Sequence, residues 1–425
     1  MSRNEERSPV TTQATRITAD GWLPDFLLQS GGLAQPWFRA GFCTAPALLV
    51  HDMTAAFEAT GEAPAGSAAF RVFVERGQRH DLARRVARVP RRDGEDLAGW
   101  LERCLGFSEF CVTFNSIASW NERLARRICG EFLLPIAEAH GAPACGADLY
   151  AFIGNYGDTP FGVHSDPDHS ILWHLGPEDK EVYLWPEERY VELTGGTEPS
   201  FDVAPLLPHG ERHRLRAGDL IYIPAGCFHV AQTSGFSMSL GVTLFPAFNK
   251  ELLRRGLELL LREHPEVDLG NLRRGEDPAP LMRALASSVG ADGAALSWDL
   301  GAAAERHLQQ LASNGYLAPP PRSRDGVSPL PDGALRAPGA FRLGHARLPG
   351  GRIEIFVRGQ SLRLAGHPAL PALLDALNSE RGLSAAEVVD RLSDRWSAEA
   401  AMHLLRLLFE LRGLEPAGAV DAAAA

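Results

Sequence analysis

Three residues of this chain could share one metal ion. His164 and Asp166 stand two apart in Gly162-Val163-His164-Ser165-Asp166, and His229 closes the segment Gly218-Asp219-Leu220-Ile221-Tyr222-Ile223-Pro224-Ala225-Gly226-Cys227-Phe228-His229. In an extended strand, side chains at i and i+2 leave from the same face, so His164 and Asp166 can reach one ion while Ser165 points away. Two imidazoles and one carboxylate leave three coordination positions open. Mononuclear non-haem Fe(II) needs those positions to hold a co-substrate and dioxygen together. Either half alone reads more readily as an ordinary core histidine. Together, with strand-like stretches between them, they point to opposite strands of one small barrel meeting at a shared interior.

The elements that must position these residues follow from pattern. Gly218-Asp219 marks a turn, residues 220–223 read as a buried strand, and Pro224-Ala225-Gly226 forces a second turn before His229. Residues 148–248 are short strands broken by Gly, Pro and Asp, and residues 70–74 alternate like a further strand. Apolar residues at helical spacing predict helices over 97–105 and 120–140. Beyond 248 the texture becomes helical, over 249–264, 281–289 and 297–315, with a leucine face (Leu252, Leu253, Leu257, Leu260, Leu261) that must pack on something. A Pro-rich stretch then behaves as a semi-rigid spacer. The last module has strands at 352–357 and 361–364 around the turn Arg358-Gly359-Gln360, then helices at 368–377, 384–392 and 398–412. The second of these helices opens on the capping box Ser384-Ala385-Ala386-Glu387. The expected organisation is a flexible tail (1–21), a catalytic-type domain (22–248, core 148–248), a helical region (249–316), a linker (317–333), a winged-helix-like module (334–416) and a final tail (417–425).

Composition narrows the function classes. A net charge of −11 argues against a general nucleic-acid binder, because phosphate contacts need a basic surface. The six cysteines (Cys43, Cys104, Cys111, Cys129, Cys145, Cys227) include no C-x-x-C pair, so they read as reduced thiols and predict neither a zinc knuckle nor a disulfide framework. The charged start Met1-Ser2-Arg3-Asn4-Glu5-Glu6-Arg7 lacks the apolar run of a secretory signal, and no stretch is long and apolar enough to span a bilayer. These features predict a cytoplasmic protein without a membrane partner.

At H-x-D and G-D-x-x-Y-I-P-x-G-x-x-H the chain resembles the JmjC family of Fe(II)- and 2-oxoglutarate-dependent oxygenases. In layout it is most similar to the bacterial ribosomal oxygenases, which place a JmjC barrel before a helical dimerisation region and a C-terminal winged helix. The resemblance implies an α+β fold: a double-stranded β-helix (the cupin or JmjC jelly roll) with flanking helices. It implies that His164, Asp166 and His229 hold the iron, and that a basic residue on the following strand anchors the distal carboxylate of 2-oxoglutarate. Lys180 takes that place. Lys180 and Lys250 are the only lysines among 42 Lys and Arg residues, and a buried ammonium needs a partner such as a dianionic co-substrate. The spacing from H-x-D to Lys180 is one residue longer than is usual in the family, and the bland alternative is a solvated lysine in the turn Glu178-Asp179-Lys180-Glu181. Ser239 stands where many relatives have Asn, and a hydroxyl offers one donor where an amide offers two. Asn155 and Tyr156 could donate hydrogen bonds into the barrel. His169 and His174 read as structural or surface residues.

The implied reaction couples decarboxylation of 2-oxoglutarate and reduction of O2 to hydroxylation of an unactivated carbon, the hard chemistry residing in the cofactor. The layout favours a homodimer acting on a side chain of a protein or peptide, either a ribosomal protein or a ribosomally made precursor whose leader could add to an edge strand of the last module. Two other classes stay open: a non-oxidative metal cupin (isomerase or small-molecule binder), and a winged-helix interaction protein with a vestigial barrel. Lys180 discriminates, since a metal cupin without 2-oxoglutarate needs no buried cation there.

Overall fold

The structure is a computed structural model that describes residues 16–62, 69–262, 277, 279–280, 283–284, 300–320 and 329–418. Short runs of β-branched and aromatic residues between Gly, Pro and Asp give strands that turn alternate side chains inward. They are β1 (Trp37–Arg39), β2 (Ala69–Val74), β3 (Gly77–Gln78), β4 (Phe110–Asn115), β5 (Ala147–Asn155), β6 (Gly157–Asp158), β7 (His169–Pro177), β8 (Lys180–Trp185), β9 (Glu211–Leu215), β10 (Leu220–Ile223), β11 (Phe228–Thr233) and β12 (Ser237–Leu244). They form two antiparallel sheets, ordered β1-β10-β7-β12-β5-β4-β2-β3 and β6-β11-β8-β9.

The sheets face each other. Leu172, Ile221 and Ile223 of the large sheet pack with Val182, Leu184, Leu215 and Ala231 of the small one. On the outer face of the large sheet, Ile153, Trp173, Leu240 and Val242 meet Phe26, Leu49, Met53, Leu124 and Phe132 from the flanking helices Trp22–Gln29, Pro46–Ala59 and the run 122–139. Each fully buried side chain of this size contributes about 1.5–3 kcal/mol relative to exposure. The helix expected over 120–140 forms, but as Glu122–Ile128 and Leu134–Ala139 joined by a wide turn at Cys129–Leu133. Pro135 lies just past that turn, in the first positions of the second segment, where its missing N–H costs least.

Beyond these two sheets, helices Asn249–Leu261 and Leu300–Ala312 are present, while the helix expected over 281–289 falls outside the described residues except at 283–284. The last module contains β13 (Ala334–Arg336), β14 (Gly344–Leu348), β15 (Arg352–Val357), β16 (Gln360–Ala365), β17 (Leu383–Ser384) and β18 (Glu415–Pro416), in two three-stranded sheets, β14-β15-β16 and β17-β13-β18. Helices Leu370–Leu377, Ala385–Leu392 and Ala398–Glu410 close a separate core around Ile355, Leu374, Val388 and Leu405. The Ser384/Glu387 capping box forms as its sequence requires. The β15–β16 turn is two residues long, because Val357 pairs with Gln360, and both turn residues have positive φ (Arg358 50°, Gly359 72°).

Arg358 leaves that turn and is buried against the rest of the chain. Its guanidinium donates to Asn314 Oδ1 (2.7 Å) and Glu122 Oε1 (2.6 Å) and lies 3.7 Å from the Phe341 ring centroid. Arg358→Ala should destabilise the protein by about 3 kcal/mol, since it leaves Glu122 with Arg126 alone (3.2 Å), leaves Asn314 Oδ1 without its arginine donor and opens a hole at the junction. Chemical unfolding should show a lowered midpoint; an unchanged midpoint would mean that this junction adds nothing. No helix among the described residues is long and apolar enough to cross a membrane.

Candidate active site

His229 lies in β11, and His164 faces it through a single antiparallel bridge, His164 N donating to His229 O (3.1 Å) and His229 N to His164 O (2.7 Å). His164 and Asp166 therefore do not sit in a full strand, as their i, i+2 spacing suggests. They occupy an extended stretch just before β7, held on both sides. Gly162, at φ 67°, lets the backbone pass so close to Ser200 that a Cβ would come within 2.3 Å of its carbonyl oxygen. That approach allows Val163 and Ser200 to exchange backbone hydrogen bonds (2.8 and 3.0 Å). On the other side Gly226 N donates to Asp166 O (2.8 Å), so the turn before His229 clips the segment that carries the carboxylate.

The three side chains converge: one ligand atom from each of His164, Asp166 and His229 lies within 4.8 Å of the other two. His164 Nε2 is 3.9 Å and His229 Nε2 is 3.7 Å from Asp166 Oδ2, less than twice a metal–ligand bond of about 2.1 Å. The outward ring nitrogens decide the tautomers. His164 Nδ1 is 3.0 Å from Gly162 O and His229 Nδ1 is 3.1 Å from Cys227 O, and a carbonyl can only accept. Each Nδ1 therefore carries the proton and each Nε2 directs its lone pair at the shared point. Burial and the adjacent His164 ring hold His229 well below the usual imidazole range, so it stays neutral. This donor set fits a divalent ion with open positions.

Behind the triad is a cavity of about 580 Å³. Inward residues on successive strands descend in steps of two: His229, Ala231 and Thr233 on β11; Ser170, Leu172 and His174 on β7; Thr243, Gly241 and Ser239 on β12; Asp148, Tyr150 and Phe152 on β5; and Leu184, Val182 and Lys180 on β8. Lys180 opens β8 and is 0% exposed, so it is not a turn lysine in solvent. It lies one layer deeper than the cavity lining, beside the lining residue Phe152. Its Nζ donates to Ser239 Oγ (2.6 Å) and stands 5.1 and 5.7 Å from the ring centroids of Phe152 and Tyr156. Among the described residues it has no carboxylate partner, and burial pushes its pKa down to about 7. The longer spacing before it does not turn it outward.

The remaining expectations divide. Ser239 is fully buried and bonded to Lys180. Tyr156 faces Lys180 through its ring while its N–H donates to Thr233 Oγ1 (3.3 Å); its hydroxyl and that of Ser237 are buried without a well-aligned partner among the described residues. Asn155 ends β5 opposite Phe110 and lies outside the cavity lining. His169 is structural, with Nδ1 2.8 Å from Tyr222 Oη and 3.3 Å from Ala225 N. His174 is fully buried, not a surface residue.

Several lining residues escaped sequence reasoning. Tyr150 reaches Ser170 Oγ (2.9 Å) because its ring lies against Gly241, where a Cβ would come within 2.1 Å of it. Asp148 accepts from Ser116 Oγ (3.0 Å), and burial raises its pKa. Arg71 projects from β2 to the wall, with Nε donating to Thr113 Oγ1 (3.1 Å). The one available signal was its charge between apolar neighbours in Phe70-Arg71-Val72. Phe161, Pro199, Phe201 and Phe245 also line the cavity, and Phe201 is 55% exposed.

Known structures share this architecture. Escherichia coli YcfD, solved by X-ray crystallography, superposes with a TM-score of 0.50 at 14% identity, over 95% of this chain and 100% of that one. The chain shares the YcfD fold. YcfD in complex with cobalt and 2-oxoglutarate, described as a ribosomal oxygenase from Escherichia coli, superposes with a TM-score of 0.48 at 15% identity, over 94% of this chain and 99% of that one. No protein-family model matches the sequence, and no curated protein does.

Proposed function

We propose that this protein is an Fe(II)- and 2-oxoglutarate-dependent oxygenase that hydroxylates a side chain of a protein or peptide. The observation that carries the reading is Lys180: a basic group buried without a counter-ion among the described residues, in the same interior as a His-Asp-His set with converging ligand atoms. A metal cupin that does no co-substrate chemistry has no use for such a group, whereas a dicarboxylate spanning from metal to ammonium would neutralise it. His164, Asp166 and His229 would hold Fe(II), and Lys180, tethered by Ser239 and flanked by Tyr156, would bind the far carboxylate. When bound, iron and 2-oxoglutarate supply the oxidising chemistry. The chain supplies neutral imidazoles, a fixed cation and a water-poor interior walled by Phe152, Leu172, Val182 and Ala231.

In this reading the two facing sheets are the double-stranded β-helix of the JmjC type and residues 334–416 are a winged-helix module, with the domain divisions drawn from the sequence. An aromatic and proline mouth formed by Phe161, Pro199, Phe201 and Phe245 suits a polypeptide better than a small metabolite. The outer edge of β16 pairs with no strand among the described residues, so it is our candidate for holding an extended leader or substrate segment. Phe248, Leu253 and Leu261, each about half exposed, make the helix Asn249–Leu261 the candidate homodimer contact. We place the protein in the cytoplasm, where its thiols stay reduced. A ribosomal protein and a precursor peptide are the two client types to offer it.

Anaerobic addition of Fe(II) and 2-oxoglutarate should give a weak visible charge-transfer band, and with the right client isotopically labelled dioxygen should enter the product. A wild-type protein without the band would sink the reading. Binding should also take up protons. Lys180 titrates near 7 when alone, so above that pH it is increasingly neutral, and a dicarboxylate must recharge it. Calorimetry at pH about 8, in buffers of different ionisation enthalpy, should show uptake approaching one proton, and affinity should weaken as pH rises above 7. The other titratable groups against the ammonium stay neutral there, Cys111 and Tyr156 pushed up by burial and His174 pushed down by burial and by Lys180 itself.

A further inference from the structure

We propose that His174 and Ser239 are positioning residues that fix the direction of the hydrogen bond between Ser239 and Lys180; this deepens, and rests on, the 2-oxoglutarate reading. The polarity follows from the far end. His174 Nε2 is 2.7 Å from Glu178 O, a carbonyl that can only accept, so Nε2 carries the proton. The ring is neutral, because burial and the neighbouring Lys180 push it down to about 4, so Nδ1 holds a lone pair. Nδ1 is 3.3 Å from Ser239 Oγ, which therefore donates its single proton there. Ser239 is left with only lone pairs for Lys180, whose Nζ donates at 2.6 Å. The chain runs one way, from Lys180 through Ser239 and His174 to the Glu178 carbonyl, in the turn that leads into Lys180 itself.

Two features show that this arrangement is built. All three side chains are 0% exposed, so each polar atom must find its partner inside the protein. The β7–β12 ladder also slips at this point. Met238 pairs with Gly176, yet Ser239 pairs with His174, leaving Leu175 as a bulge. Without that slip Ser239 would oppose Leu175; with it, two inward polar residues meet. The effect on the site is electrostatic. A hydroxyl free to rotate could donate to a neutral lysine amine and stabilise it. His174 removes that option, so Ser239 favours the ammonium, and one N–H is tethered while the others remain for an anion. Asp179 is the acid whose charge acts on His174, and Cys111 and Tyr156 are the titratable groups beside Lys180.

The chain has only two lysines, so its Nζ resonances can be followed individually in full-length protein labelled with [15N]lysine, Lys250 serving as the internal reference. His174→Phe should lower the Lys180 titration midpoint by about one pH unit, because Ser239 becomes free to donate. His174→Gln, whose amide offers an acceptor oxygen and an NH2 group that donates, should restore it. Anaerobic titration should show 2-oxoglutarate binding weakened about tenfold in His174→Phe and in Ser239→Ala. Co(II) alone should bind all variants as it binds wild type. An unmoved Lys180 midpoint in a folded His174→Phe protein, or equal midpoints in the Phe and Gln variants, overturns the relay. If Lys180→Ala leaves 2-oxoglutarate affinity intact, the co-substrate reading fails instead, and the titration result stands apart from it.

Discussion

Asp166→Ala should weaken Fe(II) binding by more than about 100-fold, since hydrogen-bond partners of metal ligands alone are commonly worth 10–100-fold and Asp166 is itself a donor. The geometry makes the effect specific. Asp166 is the only residue of the set that can supply a negative charge, since an imidazole whose Nδ1–H is held by Gly162 O or Cys227 O can offer a metal only a neutral Nε2. Removing it leaves two neutral ligands for a dication. Its side chain is 46% exposed to the cavity and supports no packing, so the variant should fold with wild-type stability. Anaerobic metal titration and unfolding measured side by side check this. Retained Fe(II) affinity in Asp166→Ala would remove the metal centre from the account.

Lys180→Met should act in opposite directions on co-substrate and on fold. A hydrogen-bonded charge pair closed inside a protein costs about 2–5 kcal/mol when one member is truncated, so roughly 150-fold of 2-oxoglutarate affinity should vanish for a loss near 3 kcal/mol. The empty protein should become more stable. Lys180 has a folded pKa near 7 against 10.5 for the free side chain, so its burial penalty is fully present below pH 7 and disappears as pH rises towards 10.5. The stabilisation by methionine should therefore be largest below pH 7 and shrink at alkaline pH. Chemical unfolding at two pH values checks the sign; a destabilised variant at pH 6 would mean that Lys180 is held by a partner and is not a buried charge waiting for one.

How much of this was legible beforehand depended on range. The strand at 70–74 and the capping box at Ser384 depend on neighbours within a few residues and form where pattern placed them, and the turn expected over Arg358-Gly359-Gln360 forms one residue shorter, with Gln360 already paired to Val357. The convergence of His164, Asp166 and His229 was legible because metal chemistry requires particular residue types at particular spacings. The wide turn at Cys129–Leu133 was not, since apolar spacing alone does not distinguish a continuous helix from one with an extra residue in a turn. Nor were Tyr150 and Arg71, which reach the cavity from β5 and β2 through sheet pairings far apart in sequence.

His174 is the clearest case of that limit. It read as structural or surface because nothing local distinguished it, and its role depends on a one-residue slip that brings it opposite Ser239, 65 positions away. The sequence by itself determined which atoms could bind a metal or a carboxylate, since donor type is a property of the side chain. Only the tertiary structure decided which lone pairs face inward and that Lys180 is buried without a counter-ion among the described residues. Tautomers, burial and hydrogen-bond direction are set by whichever backbone carbonyls and strands are folded against each group.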